Sequence, residues 1–169
     1  MSDVVAFDKA HEGIDLSEGN AVVTKTEYDV YGYRTAASGA VLKGGGRHMV
    51  QFTKRKGNGM LFGLIRADWD VEGGSYAQDV RGHSFYSTYD GNRYPSRSGW
   101  EGRQAAHEEG DRIGLLLDLD QGTMTVYKND ERLGVMATGL SGEYSWAVSL
   151  GEHGGSTRIE AAAAPAVEP

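Results

Sequence analysis

Two aspartates in the stretch Asp-Leu-Asp-Gln-Gly, residues 118–122, are the first candidates for chemistry in this sequence. Carboxylates two residues apart on a strand point to the same side, so they suit either a bound cation or an acid–base pair. A calcium loop needs oxygen ligands at positions 1, 3 and 5, a glycine at 6 and a glutamate at 12. Counting from Asp118 puts Gly122 at position 5 and Asn129 at position 12. The spacing therefore predicts no calcium site, and we expect no metal site elsewhere.

A glycosidase-type hydrolase is a second use for Asp118 and Asp120, because such enzymes work with paired carboxylates. The spacing permits this reading, but no further acids and aromatics cluster around the pair in the sequence. Aspartate and glycine between two apolar runs are also typical of a tight turn, where Asp accepts backbone hydrogen bonds and Gly takes a positive φ. The turn is the favoured interpretation, and a hydrolase stays a lesser alternative.

Other catalytic and cofactor patterns are missing from the sequence. The histidines stand singly, without metal-ligand spacing, at His11, His48, His83, His107 and His153. The glycine-rich stretches lack the strand–loop–helix setting and the Lys-Ser/Thr pair of a phosphate loop, and no Gly-X-Ser-X-Gly elbow occurs. We therefore expect no catalytic residue, no cofactor and no enzyme activity.

Composition narrows the range of partners. The chain has 169 residues and a formal net charge of −7, which argues against binding to nucleic acid or to an anionic membrane. No apolar run approaches the roughly 20 residues that span a bilayer, and the absence of cysteine fits a reducing compartment. We expect an intracellular, cytoplasmic monomer.

The segments that must position any site have the pattern of many short strands. Glycine is abundant, with 25 residues against 3 prolines, which is about twice its usual frequency. Alternating leucines in residues 113–119, and Trp146 in phase with Val148 and Leu150, indicate strands with one buried face. Asn-Gly within residues 56–59 predicts a hairpin, and residues 104–109 suggest one short helical turn. Together these patterns predict an all-β, antiparallel β-sandwich of two sheets.

Periodicity also divides the chain into three parts. Residues 1–19 show no clear period and are expected to form an N-terminal lead-in segment. Residues 20–161 carry the strand patterns and are expected to form the β-sandwich. The Ala/Pro-rich residues 162–169 have no core-forming pattern and are expected to be a disordered tail.

Residues 110–135, GDRIGLLLDLDQGTMTVYKNDERLGV, resemble the signature of the SPRY domain. In that family a strand ending in Asp-X-Asp-X-Gly turns into a strand ending in an aromatic residue, followed by Lys-Asn and Leu-Gly. MLFGLIRADWD (60–70), SFYSTYDGNRY (84–94) and YSWAVSL (144–150) resemble other strands of the family. RHMVQFTKR (47–55) departs from the aromatic-led motif that many members carry there, and no preceding PRY segment is evident.

The resemblance covers about residues 34–160 and implies a bent, lectin-like sandwich of jelly-roll type without a catalytic centre. Such domains bind protein or peptide segments through loops at one end of the sandwich. Interface hot spots are mostly Trp, Tyr and Arg, and the two long loops and the strand ends that begin them are rich in these residues. With two aspartates that accept ligand hydrogen bonds, the predicted binding residues are Arg66, Asp68, Trp69, Asp70, Tyr76, Tyr89, Tyr94, Arg97 and Trp100.

The sequence alone leaves two questions about these residues open. Trp100 stands between glycines, so it suits either ligand binding or burial as a plug between loop and sandwich. A lectin-like module is the main alternative to peptide binding, with Trp69 or Tyr89 stacking on a sugar ring beside aspartate or asparagine. Trp146 is assigned to the core because it alternates with apolar neighbours.

Overall fold

The computed structural model describes residues 5–26, 32–73 and 75–166. Its strands, in chain order, are β1 (Phe7–Ala10), β2 (Ile14–Ser17), β3 (Val22–Lys25), β4 (Arg34–Ser38), β5 (Arg47–Lys56), β6 (Met60–Arg66), β7 (Ser84–Ser87), β8 (Arg93–Tyr94), β9 (Arg112–Asp118), β10 (Thr123–Lys128), β11 (Glu131–Ala137), β12 (Tyr144–Leu150) and β13 (Ser156–Ala161). One 3-10 turn, Ala77–Asp79, is the single helical element of the described residues.

The strands form two antiparallel sheets. The six-stranded sheet has the order β1-β4-β12-β6-β7-β8, and the seven-stranded sheet has the order β11-β10-β9-β5-β13-β3-β2. Neighbouring strands pair antiparallel throughout both sheets within the described ranges. This architecture confirms the predicted all-β antiparallel sandwich.

The space between the two sheets holds the main hydrophobic core, called the inner core below. Phe52 of β5 and Phe62 of β6 stack across it, with ring centroids 4.7 Å apart and planes 3° from parallel. Trp146 lies in the same cluster and is 3% exposed. The alternation of apolar residues along β9 and β12 therefore predicted correctly which of their side chains face the inner core, since residues two apart on a strand share a face.

The Asn-Gly segment at residues 57–59 does not form the predicted hairpin, and that prediction is wrong. β5 and β6 belong to different sheets, so this segment is an arch that carries the chain from one sheet to the other. The Asn58 N–H donates to Glu152 Oε2 at 2.6 Å, and Asn58 Oδ1 accepts from Thr88 Oγ1 at 3.0 Å. These contacts with distant segments stabilise the crossing in place of local strand pairing.

The predicted helical turn at residues 104–109 is also wrong. Backbone carbonyls there accept hydrogen bonds from strand side chains: Tyr86 Oη donates to Gln104 at 2.6 Å, Lys128 Nζ to Ala105 at 2.9 Å and Lys54 Nζ to Ala106 at 3.0 Å. The Ala106 N–H likewise donates outside the segment, to the Thr88 carbonyl at 2.8 Å. The backbone groups are thus paired with the neighbouring strands, and the segment remains an irregular chain that closes over the sandwich edge.

Both ends of the described chain contact the sandwich. Residues 1–19, expected as a lead-in, contain β1 and β2, and Phe7 and Ile14 are buried in the inner core. Strands of four residues are too short to show a period in the sequence. Residues 162–166 have no regular structure, and the carbonyl of Pro165 accepts a hydrogen bond from Arg47 Nη1 at 2.6 Å; residues 167–169 lie outside the described ranges.

Candidate functional site on the outer face of the six-stranded sheet

The connection between β6 and β7, residues 67–83, folds across the outer face of the six-stranded sheet. It forms a second hydrophobic cluster with that face, called the outer layer below. The buried members are Ala37, Leu61, Ile65, Ala77, Phe85 and Ala147, and the partly buried members packed on them are Tyr33, Trp69, Val71 and Tyr94. Within this connection, Gly74 lies outside the described residues.

Polar contacts fix the loop to the strands beneath it. Ser149 Oγ of β12 donates to Gln78 Oε1 at 3.0 Å in a buried position. His11 Nε2 faces Glu72 Oε2 at 3.6 Å, which links the loop to the sheet edge beyond β1. Because Gly13 N–H donates to His11 Nδ1 at 3.0 Å, the neutral ring carries its proton on Nε2, toward Glu72.

Gly63 of β6 explains how β7 comes so close to the central strands. A Cβ at this position would lie 1.9 Å from the carbonyl oxygen of Ser84 and 2.8 Å from Phe85 Cα. No residue other than glycine fits without moving β7. The glycine that precedes the long loop in the sequence is therefore a packing requirement at the base of the outer layer.

A cavity of about 390 Å³, called the aromatic cavity below, opens between the loop and the β4 side of the sheet. Its aromatic lining consists of Tyr33, Trp69 and Tyr76, and its ionisable lining of His11, Arg34 and Glu72. The rings of Tyr33 and Tyr76 meet edge to face with centroids 6.0 Å apart. Burial raises the pKa of Tyr33, with Tyr94 and Asp90 as further causes, so its phenol stays neutral and offers both a donor and an acceptor.

A second cavity of about 360 Å³, called the basic groove below, opens at the edge of the sandwich, between β7 and β8 of the six-stranded sheet and residues 136–140 at the end of β11 in the seven-stranded sheet. Its ionisable and aromatic lining residues are Arg66, His83, Arg93, Tyr94 and Tyr144, and none of its described lining residues is acidic. The Arg66 guanidinium lies 4.5 Å from the Tyr144 ring centroid and donates to Ser141 O at 2.6 Å. Arg93 donates to Ser98 Oγ and to Met136 O, both at 3.1 Å.

The two cavities share a wall formed by Trp69 and His83. Their rings meet edge to face with centroids 5.4 Å apart, and Trp69 lines the aromatic cavity while His83 lines the basic groove. The ring N–H at Nδ1 of His83 donates to the Ala77 carbonyl at 2.9 Å, and Nε2 has no partner among the described residues. Burial lowers the pKa of His83, and the nearby Arg66 lowers it further, so the ring is held neutral.

The predicted binding residues divide among different places. Trp69 and Tyr76 line the aromatic cavity, and Arg66 and Tyr94 line the basic groove. Asp68 is exposed and lines neither.

The other predicted residues have partners of their own. Asp70 Oδ1 accepts the Glu72 N–H at 2.9 Å and so caps its own turn. Arg97 is exposed and pairs with Asp79 at 3.2 Å, with its guanidinium 5.7 Å from the Tyr94 ring centroid.

Tyr89 and Trp100 lie apart from both cavities. Tyr89 follows β7 at the Met60 end of the sheet, where it is 67% exposed and its ring lies 6.2 Å from that of His107. Trp100 packs partly buried against the inner core, and its Nε1 donates to the Gly91 carbonyl at 2.7 Å. Trp100 therefore packs between its loop and the sandwich, which is one of the two positions that the sequence left open for it.

Several cavity residues did not emerge from the sequence. His11, Tyr33 and Arg34 come from segments far from the loop in the chain, and Tyr144 comes from a strand that alternation assigned to burial. The sequence marks Tyr33 and Arg34 only as an aromatic residue next to a basic one, a pair of residue types common in binding sites. The strand order is what brings them beside residues 69–76. Arg93 lies in residues 81–103, where four arginines stand within 23 residues, and this local excess of arginine is its signal in the sequence.

Asp118 and Asp120 serve the turn between β9 and β10. Asp118 Oδ1 accepts the N–H groups of Asp120 and Gln121, each at 3.0 Å. Asp120 Oδ1 accepts the Gly46 N–H at 3.1 Å, and Gly122 has φ of 71°. The carboxylates thus hold backbone donors, as the turn interpretation expected.

The described residues form neither a metal-ligand cluster nor a membrane-spanning helix. Within residues 5–26, 32–73 and 75–166, no three His, Asp or Glu side chains gather where a metal ion could be held. No helix in those ranges has the length and apolar character of a membrane span.

Comparison with known proteins identifies the family. A family model described as the SPRY domain matches residues 47–162, which is more than half of the chain. The chain therefore belongs to the SPRY domain family, as its motifs predicted. SPRY domains are generally protein-interaction modules rather than enzymes and generally bind protein partners.

Solved structures share the fold at low identity. The SPRY domain of human HERC1 is 19% identical, with 92% of this chain and 98% of that chain covered and a TM-score of 0.76. The TRIM65 PSpry domain is 12% identical, with 93% and 92% covered and a TM-score of 0.71. A human SPRY domain is 17% identical, with 88% and 95% covered and a TM-score of 0.63. No curated protein sequence matches the chain.

Proposed function

We propose that this domain captures a segment of a partner protein in the aromatic cavity, on the outer face of the six-stranded sheet. The observation that carries the proposal is the aromatic cavity of about 390 Å³, bounded by Tyr33, Trp69 and Tyr76. Its volume is in the usual range for ligand sites, about 300–1,000 Å³. Trp and Tyr are the residues that most often dominate binding energy at interfaces.

The position of the loop supports this mode of binding. Residues 67–83 lie flat on a sheet that is packed on its other face against the inner core, so Trp69 has a rigid base. Tyr76 is 39% exposed and stands at the rim. In this proposal Trp69 and Tyr33 form the floor that receives an apolar side chain, and Tyr76 covers it from the side. The charged rim residues then fix the backbone or polar groups of the segment.

The proposal is tested by selecting peptides from a random display library with the full chain and measuring their dissociation constants. Affinities in the micromolar to high nanomolar range are expected, roughly −8 to −10 kcal/mol. Tyr76→Ala should weaken binding about 30-fold, equivalent to about 2 kcal/mol. Tyr127→Ala is the matched control, because Tyr127 lies half-buried on the outer face of the seven-stranded sheet, and it should change nothing.

Unchanged binding by Tyr76→Ala, together with a loss in Tyr127→Ala, would overturn the placement of the site. A glycan array on the same protein separates the lectin-like reading from peptide capture. Sugar binding that depends on Trp69, with no peptide enriched from the library, would replace the proposed function.

A further inference from the structure

Contacts with neighbouring residues fix one side of the Arg66 guanidinium. Arg66 is the last residue of β6 and pairs with Tyr144 of β12. The guanidinium lies over the Tyr144 ring, and its Nη1 donates to the Ser141 carbonyl at 2.6 Å. A stacked and hydrogen-bonded guanidinium has lost most of its rotational freedom before a ligand arrives.

The other side of the same guanidinium is open. Among the described residues, neither Nε nor Nη2 of Arg66 has a hydrogen-bond partner, and no carboxylate is in ion-pair contact with this arginine. These two nitrogens form one planar edge of the guanidinium. That edge is the geometry that receives two oxygens of a carboxylate or a phosphate.

Gly82 keeps this edge accessible. A Cβ at Gly82 would lie 3.5 Å from Arg66 Nε and 3.7 Å from Nη2. Gly82 also has φ of 98°, a conformation that favours glycine. A side chain there would be in van der Waals contact with the open edge, whereas the glycine leaves that space for a ligand.

The surroundings of that space favour negative charge. The basic groove contains a second guanidinium, that of Arg93, and the hydroxyl residues Ser84, Ser96 and Thr138. No acidic residue is among its described lining residues, although the chain as a whole carries a net charge of −7. The nearest carboxylates that act on its lining, Asp68 on His83 and Asp90 and Asp79 on Tyr94, lie outside the lining itself. A lining made of donors is suited to receive an oxyanion.

We propose that the basic groove binds an oxyanion carried by a partner protein segment, with Arg66 Nε and Nη2 as paired donors. The oxyanion is the carboxylate of an acidic side chain or the phosphate of a phosphorylated one, which share this bidentate chemistry. The inference rests on the proposed function, since Trp69 of the aromatic cavity and His83 of the basic groove are in ring contact and the two sites therefore adjoin. It adds to that function the requirement that the partner segment carries a negatively charged group.

The test follows the Arg66 Nε–Hε resonance in ¹H–¹⁵N spectra of the full chain, assigned by its loss in Arg66→Lys. Three probes are titrated at constant ionic strength: N-acetyl-glutamate methylamide, N-acetyl-O-phosphoserine methylamide and the uncharged N-acetyl-glutamine methylamide. A saturable shift with either anionic probe and none with glutamine supports the proposal. The tighter of the two anionic probes identifies the source of the oxyanion.

An Arg66 resonance that stays in place with both anionic probes would overturn the inference. So would shifts of equal size at exposed arginines across the molecule, because these would report only general screening. The resonance is read on the unmodified protein, so this outcome does not depend on whether a variant folds.

Two variants refine the result. Arg66→Lys keeps the charge but lacks the paired donors, so it should weaken binding of the anionic probe at least about tenfold. Arg55→Lys is the matched control, since Arg55 is exposed on β5 and paired with Glu18, and it should bind the probe like the parent protein. Equal affinities for Arg66→Lys and Arg55→Lys would contradict bidentate recognition.

Tyr76→Ala separates this inference from the proposed function. It alters the aromatic cavity only, so probe binding at Arg66 should be unchanged. Probes that fail to bind, with selected peptides still dependent on Tyr76, would remove the oxyanion inference alone. Probe binding at Arg66 without any peptide dependent on Tyr76 would remove the proposed function instead.

Discussion

The six-stranded sheet has two hydrophobic faces that differ in what covers them. On the inner face, Phe62 and Trp146 pack against strands of the opposite sheet and are almost completely buried. On the outer face, Leu61 and Ile65 are covered by loop residues such as Trp69, which are themselves only partly buried. Both partners of the inner contact are strands, whereas one partner of the outer contact is a loop.

This difference indicates a division of roles within one sheet. Strand-on-strand packing is regular and dense, so a change in the inner core should act on stability. A loop anchored on the outer face keeps part of each aromatic ring available to solvent, so a change there should act mainly on binding. The central strand β6 serves both layers, because its residues alternate between the two faces.

The largest expected effect is on the inner core. Phe62→Ala removes a ring that is fully buried and stacked on Phe52, and should lower the free energy of unfolding by about 3–5 kcal/mol. Urea denaturation followed by tryptophan fluorescence measures this loss. Tyr76→Ala, in the loop that covers the outer face, should cost less than about 1 kcal/mol in the same assay. Equal losses for both variants would contradict the division of roles between the two faces.

A smaller effect is expected where the two layers meet. Gly63→Ala places a Cβ against Ser84 O and Phe85 Cα, so β7 must shift, at a cost of about 1–3 kcal/mol in the free energy of unfolding. Because β7 carries the end of the loop, peptide binding should weaken as well. Gly99→Ala is the matched control, since the nearest atom to a Cβ there is 3.7 Å away. A Gly63→Ala protein as stable as the Gly99→Ala protein would show that β7 is not held closely.

The smallest expected effect is a pH dependence of stability that arises from His83, whose ring contacts Trp69 of the outer layer. Burial lowers the pKa of His83 in the folded protein, whereas the unfolded chain takes up the proton near pH 6.5. Below that pH the unfolded state binds more protons, so stability falls as the pH is lowered toward the folded-state pKa of His83. The slope contributed by this one group is at most about 1.4 kcal/mol per pH unit.

His83→Asn isolates this contribution, because the asparagine amide can still donate to the Ala77 carbonyl. Unfolding free energies between pH 7 and 5 are compared for the two proteins, and the parent should lose more stability on acidification. Parallel pH profiles would mean that His83 is protonated as easily in the folded protein as in the unfolded chain.

Sequence patterns predicted the sandwich because alternation is a local property of each strand. The β9–β10 turn was predictable for the same reason, since Asp118 caps neighbouring N–H groups within four residues. The crossing at residues 57–59 was not, because an Asn-Gly turn has the same local signal in a hairpin and in an arch. Distant partners such as Glu152 and Thr88 decide between them.

The candidate site was only partly predictable for the same physical reason. The excess of aromatic residues in the loop after β6 pointed to Trp69 and Tyr76, which do line one cavity. Tyr33 and Arg34 join them only because β4 lies beside β12 in the sheet, a pairing between segments more than 100 residues apart. Strand order is a property of the whole chain, and it cannot be predicted from local composition.

The most direct test of the account is a map of amide chemical-shift changes on the full chain when a display-selected peptide is added. The account predicts that the largest changes fall on residues 33–35, 69–73 and 75–76, around the aromatic cavity. Changes centred on Tyr127 at the outer face of the seven-stranded sheet, or on the turn at residues 118–122, would contradict it.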